Sequence, residues 1–385
     1  MIKIEHPNLK KIAQEYFLQV KEKCIRRAGY YKKIIEVLFN HGPHADLKDY
    51  KLNGKSKTSL ANLFLNSASK LTDQHHYANV VIANCYPWVA ANRLVFESIA
   101  NYLDNDKNLE ELILCMPDQS ILIETKIKNQ VGVTAANQAI VTPFINYIID
   151  YRQFDYFAYN IASQLAHNTC PYCNRIYIHT VIDRRKKEII RPTFDHFFSQ
   201  KDHPLLALSF YNLIPSCYYC NSSLKGDKSM ALATHLHPYM DKFGDDISFH
   251  ILIKDVHKDK SNPDNYHLFL KNDVPDSHPK YGQTSWAAMP TPNEHRGNIN
   301  LFRLNEIYQS HLDVVGELIV KCDSLSDAHA RSLGSFFNQL HTNRTEFYRF
   351  YFGNYFHEKD FHRRPLAKLT KDIIRKTLPH FAKDI

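Results

Sequence analysis

Apolar residues recur at helical spacing through the first forty positions. Leu9, Ile12, Tyr16, Val20 and Cys24 fall on one stripe, which predicts a long helix over 8–40. Further helices are expected at about 58–70, 89–104 and 107–114, interrupted by Asn53-Gly54 and by Pro87. Ala135–Phe154 is apolar and helical despite Pro143, and 155–167 leads on to Cys170. The period then changes. Ile176–Asp183 is β-branched and aromatic, Arg184–Lys187 is a polar turn, and Glu188–Phe194 returns as a second strand. Asn212–Ser216 reads as a short strand, and Cys217–Lys228 as a tight turn running into a helix. Strands follow at Ile247–Ile253 and Tyr266–Lys271, separated and followed by Pro-, Asp- and Asn-rich loops at 254–264 and 273–298, the latter holding Trp286. Asn305–Lys321 and Ser324–Leu340 read as paired amphipathic helices. The chain is thus α+β in class. It divides into a helical N-terminal domain (1–165), a cysteine-bearing domain (166–245), and a C-terminal domain with a short β segment followed by helices (246–385).

The chemistry is concentrated in the middle domain. Cys170-Pro171-Tyr172-Cys173 and Cys217-Tyr218-Tyr219-Cys220 are two C-x-x-C knuckles, a spacing that suits tetrahedral thiolate binding of Zn²⁺. Between them lie Asp195-His196 and Asn212, and Asn221 follows the last cysteine, with Lys225-Gly226 beyond it. Asp195 and His196 come at the end of a strand, where neighbouring side chains face opposite ways, so both serve one site only if the chain bends locally. Hydrolysing a phosphodiester needs a base for water and a cation for the charge that develops. His196 suits the base, since imidazole titrates near neutrality. The Asp195 carboxylate and the Asn221 amide oxygen suit a hard Mg²⁺ or Mn²⁺ ion, which keeps several waters. A helix starting near Cys220 would bring its N-terminal partial charge to the same place. Lys225 could contact a phosphate, with helix-cap and surface roles equally open.

Four cysteines alone are more often an inert zinc ribbon than a nuclease, and Asp-His alone means little in a chain with 22 histidines. The joint order is more specific. Cys-x-x-Cys, Asp-His, Asn and Cys-x-x-Cys-Asn with Lys-Gly resembles the HNH endonucleases of the ββα-metal superfamily, in their four-cysteine zinc variant. The likeness covers residues 166–245. It implies a ββα-metal finger with structural zinc set between mainly helical flanks, and it implies that Asn212 is structural, tying a loop to the backbone behind the base. Asn rather than His at the third position lies within the family's range and favours Mg²⁺ or Mn²⁺. The phrases Cys-Pro-Tyr-Cys-Asn, Pro-Thr-Phe-Asp-His-Phe and Phe-Tyr-Asn-Leu-Ile-Pro-Ser-Cys are similar to nucleases of bacterial anti-phage systems such as Septu and retron-associated ones. There the nuclease works beside an ABC/SMC-type ATPase. DNA is the substrate expected from this, with an HNH ribonuclease or a non-cutting, zinc-stapled nucleic-acid-binding or scaffold protein as alternatives.

The remaining features set bounds. The 48 basic and 40 acidic residues leave a net charge of +8, compatible with a polyanionic partner but not diagnostic of one. Basic residues are interleaved with Tyr and Phe from His341 onward (Arg344, Arg349, Arg363, Arg364, Lys368, Arg375, Lys376), either as a base-stacking surface or, more commonly, as helices with a snorkelling cationic face. His179, His203, His235 and His237 are expected to pack or face solvent rather than bind metal. Cys24, Cys85, Cys115 and Cys322 read as buried thiols of a reducing compartment. The first residues lack an apolar signal region and no run approaches the ~20 apolar residues of a membrane span, so a cytoplasmic protein without membrane partners is expected.

Overall fold

The computed structural model describes residues 1–41, 91–151, 155–185, 187–272, 280–281, 295–325, 332, 343–379 and 381. The helix expected at 58–70, Cys85, Trp286 and nearly all of Ser324–Leu340 lie outside them. The chain forms two units: residues 10–157 with 198–213, and residues 1–9 with 158–197 and 214–385.

The first unit is helical. Helix α1, Leu9–His41, buries Ile12, Tyr16, Val20, Cys24 and Ala28 along its stripe, as the spacing predicts. Burial pushes the Cys24 thiol up to about 12, as expected of an inert core thiol. Helices α2 (Arg93–Leu103), α3 (Asp106–Ile113), α4 (Pro117–Val131) and α5 (Gln138–Ile148) pack around Phe96 and Phe144, whose rings lie 4.9 Å apart. Asn105 caps α3 by accepting from the amides of Lys107 and Asn108. Helix α4 was not anticipated from the apolar pattern. It starts on Pro117 and stops on Gly132 at φ 77°. Pro143 sits inside α5, where it removes one backbone donor. The segment 198–213 belongs to this unit: Tyr16 Oη donates to the Leu208 carbonyl (2.8 Å) and Ser209 Oγ to that of Leu112 (2.7 Å).

The second unit carries the knuckles. It receives the chain from helix α6, Asp155–Leu165. Strands β1 (Val181–Ile182) and β2 (Glu188–Ile190) form a short antiparallel hairpin with a register irregularity at Val181/Ile182. Its turn is closed by Asp183 Oδ1, which accepts from the amides of Arg185 and Lys187. The first strand is therefore shorter than Ile176–Asp183; before it, only the bridge Thr169–Tyr177 is paired. Pro192 divides the expected Glu188–Phe194 strand, and β3 begins afresh as Thr193–His196, paired with β4, Leu213–Ser216. The expected helix after the second knuckle is a π-helical turn, Tyr219–Lys225, ended by Gly226 at φ 51°.

Strands β5 (Ile247–Ile253) and β6 (Tyr266–Asn272) pair antiparallel, with Ile247 opposite Asn272 and Ile253 opposite Tyr266. Tyr266, Leu268 and Leu270 alternate inward on β6. Helices α7 (Asn298–Leu301), α8 (Leu304–Ile307), α9 (Leu312–Ser324), α10 (Arg344–Phe352) and α11 (Ala367–Thr377) complete the unit, and α9 and α11 pack on the ribbon. The continuous helix expected over Asn305–Lys321 is interrupted by a 3-10 turn at Tyr308–His311. There Gln309 leaves the helical surface to bond the amide and carbonyl of Leu268 on β6. On α9, Gly316 meets the Ser261 carbonyl so closely that a Cβ would lie 2.7 Å from it, which requires glycine. No helix among the described residues is long and apolar enough to cross a membrane.

Candidate metal centre and active site

Each knuckle is a tight turn that aims two thiols the same way. In the first, the Asn174 amide donates to the Cys170 carbonyl (2.7 Å) and the Arg175 amide to Cys173 Sγ (3.5 Å). Asn174 takes the left-handed conformation, φ 48°, which asparagine tolerates better than most residues. In the second, the Asn221 amide donates to the Cys217 carbonyl (3.0 Å) and the Cys220 amide to Cys217 Sγ (3.5 Å). The four sulfurs, all buried, lie within 4.8 Å of one another. Tetrahedral zinc with bonds of about 2.3 Å needs sulfurs about 3.8 Å apart, so a small contraction suffices. The sulfurs also hold no disulfide among themselves. Three neighbouring thiols donating to Cys217 push its pKa far down, while burial pushes Cys170 up and the surrounding thiols push Cys220 up. Four cysteine sulfurs crowded this closely suit a thiophilic divalent cation, and zinc fits the donor set. A four-thiolate zinc is closed to water, so an ion held by these four cysteines would be structural rather than catalytic.

The cluster connects directly to Asp195. Tyr172, between the first two cysteines, is fully buried and stacks on Phe302 with ring centroids 4.3 Å apart. Its hydroxyl donates to Asp195 Oδ2 at 2.7 Å. The Asp195 carboxylate is 2% exposed, and its Oδ1 accepts from Lys225 Nζ at 2.8 Å. The same ammonium donates to the His196 carbonyl at 2.7 Å. Lys225 therefore ties the consecutive residues Asp195 and His196 together from the π-helical turn. At 2% exposure its ammonium points inward, away from any phosphate in solvent, so neither the phosphate contact nor a surface role describes it here. Sequence reasoning missed Tyr172. The available signal was a tyrosine between two buried thiols, where its hydroxyl must find a partner.

His196 is half-buried beside the buried Asp195. Asn221 is also half-buried, and its side-chain amide has no hydrogen-bond partner among the described residues. The structure thus brings the four cysteines, Tyr172, Asp195 and Lys225 into one bonded group, with His196 and Asn221 each one residue beyond a member of it. Asn212 belongs to the helical unit. There, 2% exposed, its Oδ1 accepts from the Phe198 amide (2.7 Å) and its Nδ2 donates to the carbonyls of Phe198 (3.1 Å) and Leu206 (2.9 Å). Every one of those bonds goes to backbone, and they close the loop that leaves His196.

The other histidines pack. His237, wholly buried, lies 4.2 Å from the Phe197 ring, and burial lowers its pKa to about 3. His235 bonds Thr234 and the His295 carbonyl, His203 pairs with Glu124 in the helical unit at 2.6 Å, and exposed His179 stacks on Tyr177. Comparison with protein-family models, curated proteins and solved structures finds no match to this chain.

Proposed function

We propose that this chain is a metal-dependent HNH-type endonuclease that hydrolyses phosphodiester bonds in nucleic acid, with DNA as the substrate. The observation that carries the reading is the bond from Tyr172, inside the first knuckle, to Asp195, which ties the thiol cluster to the Asp195-His196 step. The order of β3, β4 and a following helical turn packed on β3 is consistent with a ββα finger. His196 is the base that takes the proton from the attacking water. Asp195 and Asn221 are the residues that would hold Mg²⁺ or Mn²⁺, an ion that stabilises charge developing on the phosphate oxygens. Each Asp195 oxygen accepts one hydrogen bond and has a second lone pair, so the bonds to Tyr172 and Lys225 leave it ligand capacity. The Asn221 amide, without a side-chain hydrogen bond among the described residues, supplies a neutral oxygen.

One observation favours the second reading, a zinc-stapled binding or scaffold protein that does not cut: the Lys225 ammonium already supplies Asp195 with a cation. A ribonuclease of the same type is the third. Incubating plasmid, single-stranded DNA and tRNA with the full chain in Mg²⁺, in Mn²⁺ and in EDTA separates all three. Divalent-dependent nicking of plasmid that His196→Ala abolishes supports the nuclease. Cleavage of tRNA alone moves the substrate to RNA, and binding without cleavage under every condition leaves the scaffold. The role in anti-phage defence and the ABC/SMC-type ATPase partner rest on the sequence likeness. Co-expression with the neighbouring genes and co-purification of an ATPase test both.

A further inference from the structure

The C-terminal region interleaves cations with aromatics, and part of that interleaving converges on one ring. Arg349 comes from α10, Tyr355 from the turn after it, and Arg363 and Arg364 from the end of the 3-10 segment Glu358–Arg363 and the residue beyond. Their guanidinium carbons lie 5.5, 5.7 and 6.0 Å from the centroid of the Tyr355 ring. All three arginines are exposed and Tyr355 is half-buried. Attraction to the ring face offsets part of the repulsion among like charges. Among the described residues Asp360, 3.2 Å from Arg363, is the one carboxylate paired with any of them. The cluster therefore presents a net positive surface held in a fixed arrangement. A shared centroid keeps the three cations within about 12 Å, the axial reach of roughly three phosphates of one strand at about 3.4 Å per charge.

This turn is laced to the first knuckle. Asn174, 1% exposed, donates from Nδ2 to the Phe361 carbonyl (3.0 Å) and to Thr169 Oγ1 (3.1 Å). Its Oδ1 accepts from the Lys368 amide (3.2 Å) and its carbonyl from the Leu366 amide (2.6 Å). The Asn168 amide donates to the His362 carbonyl (3.1 Å). Arg363 and Arg364 are thereby tethered to the segment that carries Cys170, Tyr172 and Cys173, and Arg349 meets them at the Tyr355 ring.

We propose that Arg349, Arg363, Arg364 and Tyr355 form a seat for the sugar-phosphate backbone of nucleic acid, holding consecutive phosphates of one strand. The inference rests on the nuclease reading for its ligand class and adds the surface that binds it. Forked guanidinium donors match phosphate oxygens in pairs, which a lysine surface would not do. The test uses the full chain carrying His196→Ala, so that the probe survives, with a fluorescein-labelled duplex and its single strand titrated across about 50 to 200 mM salt. Adding Arg349→Ala, Arg363→Ala and Arg364→Ala together should weaken duplex binding at least about 30-fold at the low-salt end and flatten the log–log salt slope by about 2–3. Zinc content and melting temperature should stay unchanged, because all three side chains are exposed. If the triple variant does not fold, Arg349→Glu alone should flatten the slope by about 1 or more. An unchanged slope overturns the proposal, as does a His196→Ala chain that binds neither probe. Equal, arginine-dependent binding of polyglutamate also overturns it, in favour of an acidic protein partner. Arginine-dependent binding by a wild-type chain that never cuts sinks the nuclease reading and leaves the seat standing. Cleavage with arginine-independent binding does the reverse.

Discussion

Lys225→Met is the most informative single change in the second unit. It removes a charge whose side chain is 3% exposed from a carboxylate whose side chain is also 3% exposed, at a separation of 2.8 Å. The methionine stem preserves most of the packing, so the loss is electrostatic. Removing one partner of such a pair leaves an unpaired buried charge and costs about 3–5 kcal/mol, far more than the net worth of the intact pair. The bond to the His196 carbonyl is lost as well, at about 1 kcal/mol. Together these come to about 4–6 kcal/mol, and at about 2–4 °C per kcal/mol for a unit of this size the melting temperature should fall by roughly 8–24 °C.

A second variant separates charge from shape. Asp195→Asn combined with Lys225→Met leaves no buried charge at this place, and Tyr172 can still donate to the amide oxygen. It should recover at least about half of the lost stability, since replacing both members of a buried pair is often close to neutral. Thermal melting monitored by near-ultraviolet circular dichroism, with zinc measured on each sample, gives the readout. A Lys225→Met protein melting within about 2 °C of wild type would refute the buried pair. A double variant no more stable than the single one would refute the electrostatic origin of the cost.

Three further outcomes follow from the geometry. Metal analysis should find one zinc per chain, and Cys217→Ser should lose it and melt at a markedly lower temperature, because a knuckle this small folds largely on its metal; a well-folded, zinc-free wild type would count against the centre. His196→Ala should lower the cleavage rate by about 10²–10⁴ while leaving duplex affinity within about twofold, since a general base acts on rate and phosphate contacts dominate binding; equal loss of both would reassign His196 to binding. Acidification should destabilise the fold through His167 and His237, each buried and neutral with a pKa lowered to about 3. The unfolded chain protonates them near about 6.5, so their contribution is complete above that pH and falls by about 1.4 kcal/mol each by pH ~5.5. A His237→Gln variant should melt with a flatter pH dependence than wild type between pH ~7.5 and ~5.5, and parallel curves would remove His237 from the account.

Much of this arrangement is readable along the chain because it is local. A C-x-x-C turn needs only four residues to aim its sulfurs, and the α1 stripe follows from helical spacing alone. The start and end of α4 were also written locally, in Pro117 and Gly132, but Ile121 and Leu122 face solvent and blur the apolar period. What was not legible depends on partners distant in sequence. The break at Tyr308–His311 is stabilised by Gln309 reaching Leu268, 41 residues away. The inward turn of Lys225 depends on Asp195, 30 residues away. A lysine after a knuckle reads as a surface cation until the fold closes over it. The π-helical winding at Tyr219–Lys225 has no sequence signature either, and it carries Lys225 back over β3.

The zinc staple and the Asp195-His196 step should therefore be treated as one mechanical object. Between the Cys170 and Cys173 thiols and the Asp195 carboxylate stands one rigid side chain, Tyr172, held by burial and by Phe302. From the other knuckle, the chain after Cys220 returns through Lys225 to the same carboxylate and to the His196 carbonyl. The carboxylate is thus clamped from both knuckles, one donor on each oxygen, and the two clamps share the thiol cluster as their common base. Loss of zinc would release both at once. On the nuclease reading, zinc removal should abolish cleavage even though four thiolates leave the metal no part in the chemistry, and Tyr172→Phe should weaken cleavage while zinc stays bound. The second result separates a positioning role for the cluster from mere stability: a Tyr172→Phe protein with full zinc, an unchanged melting temperature and undiminished cleavage would show that the staple holds the fold without aligning the carboxylate.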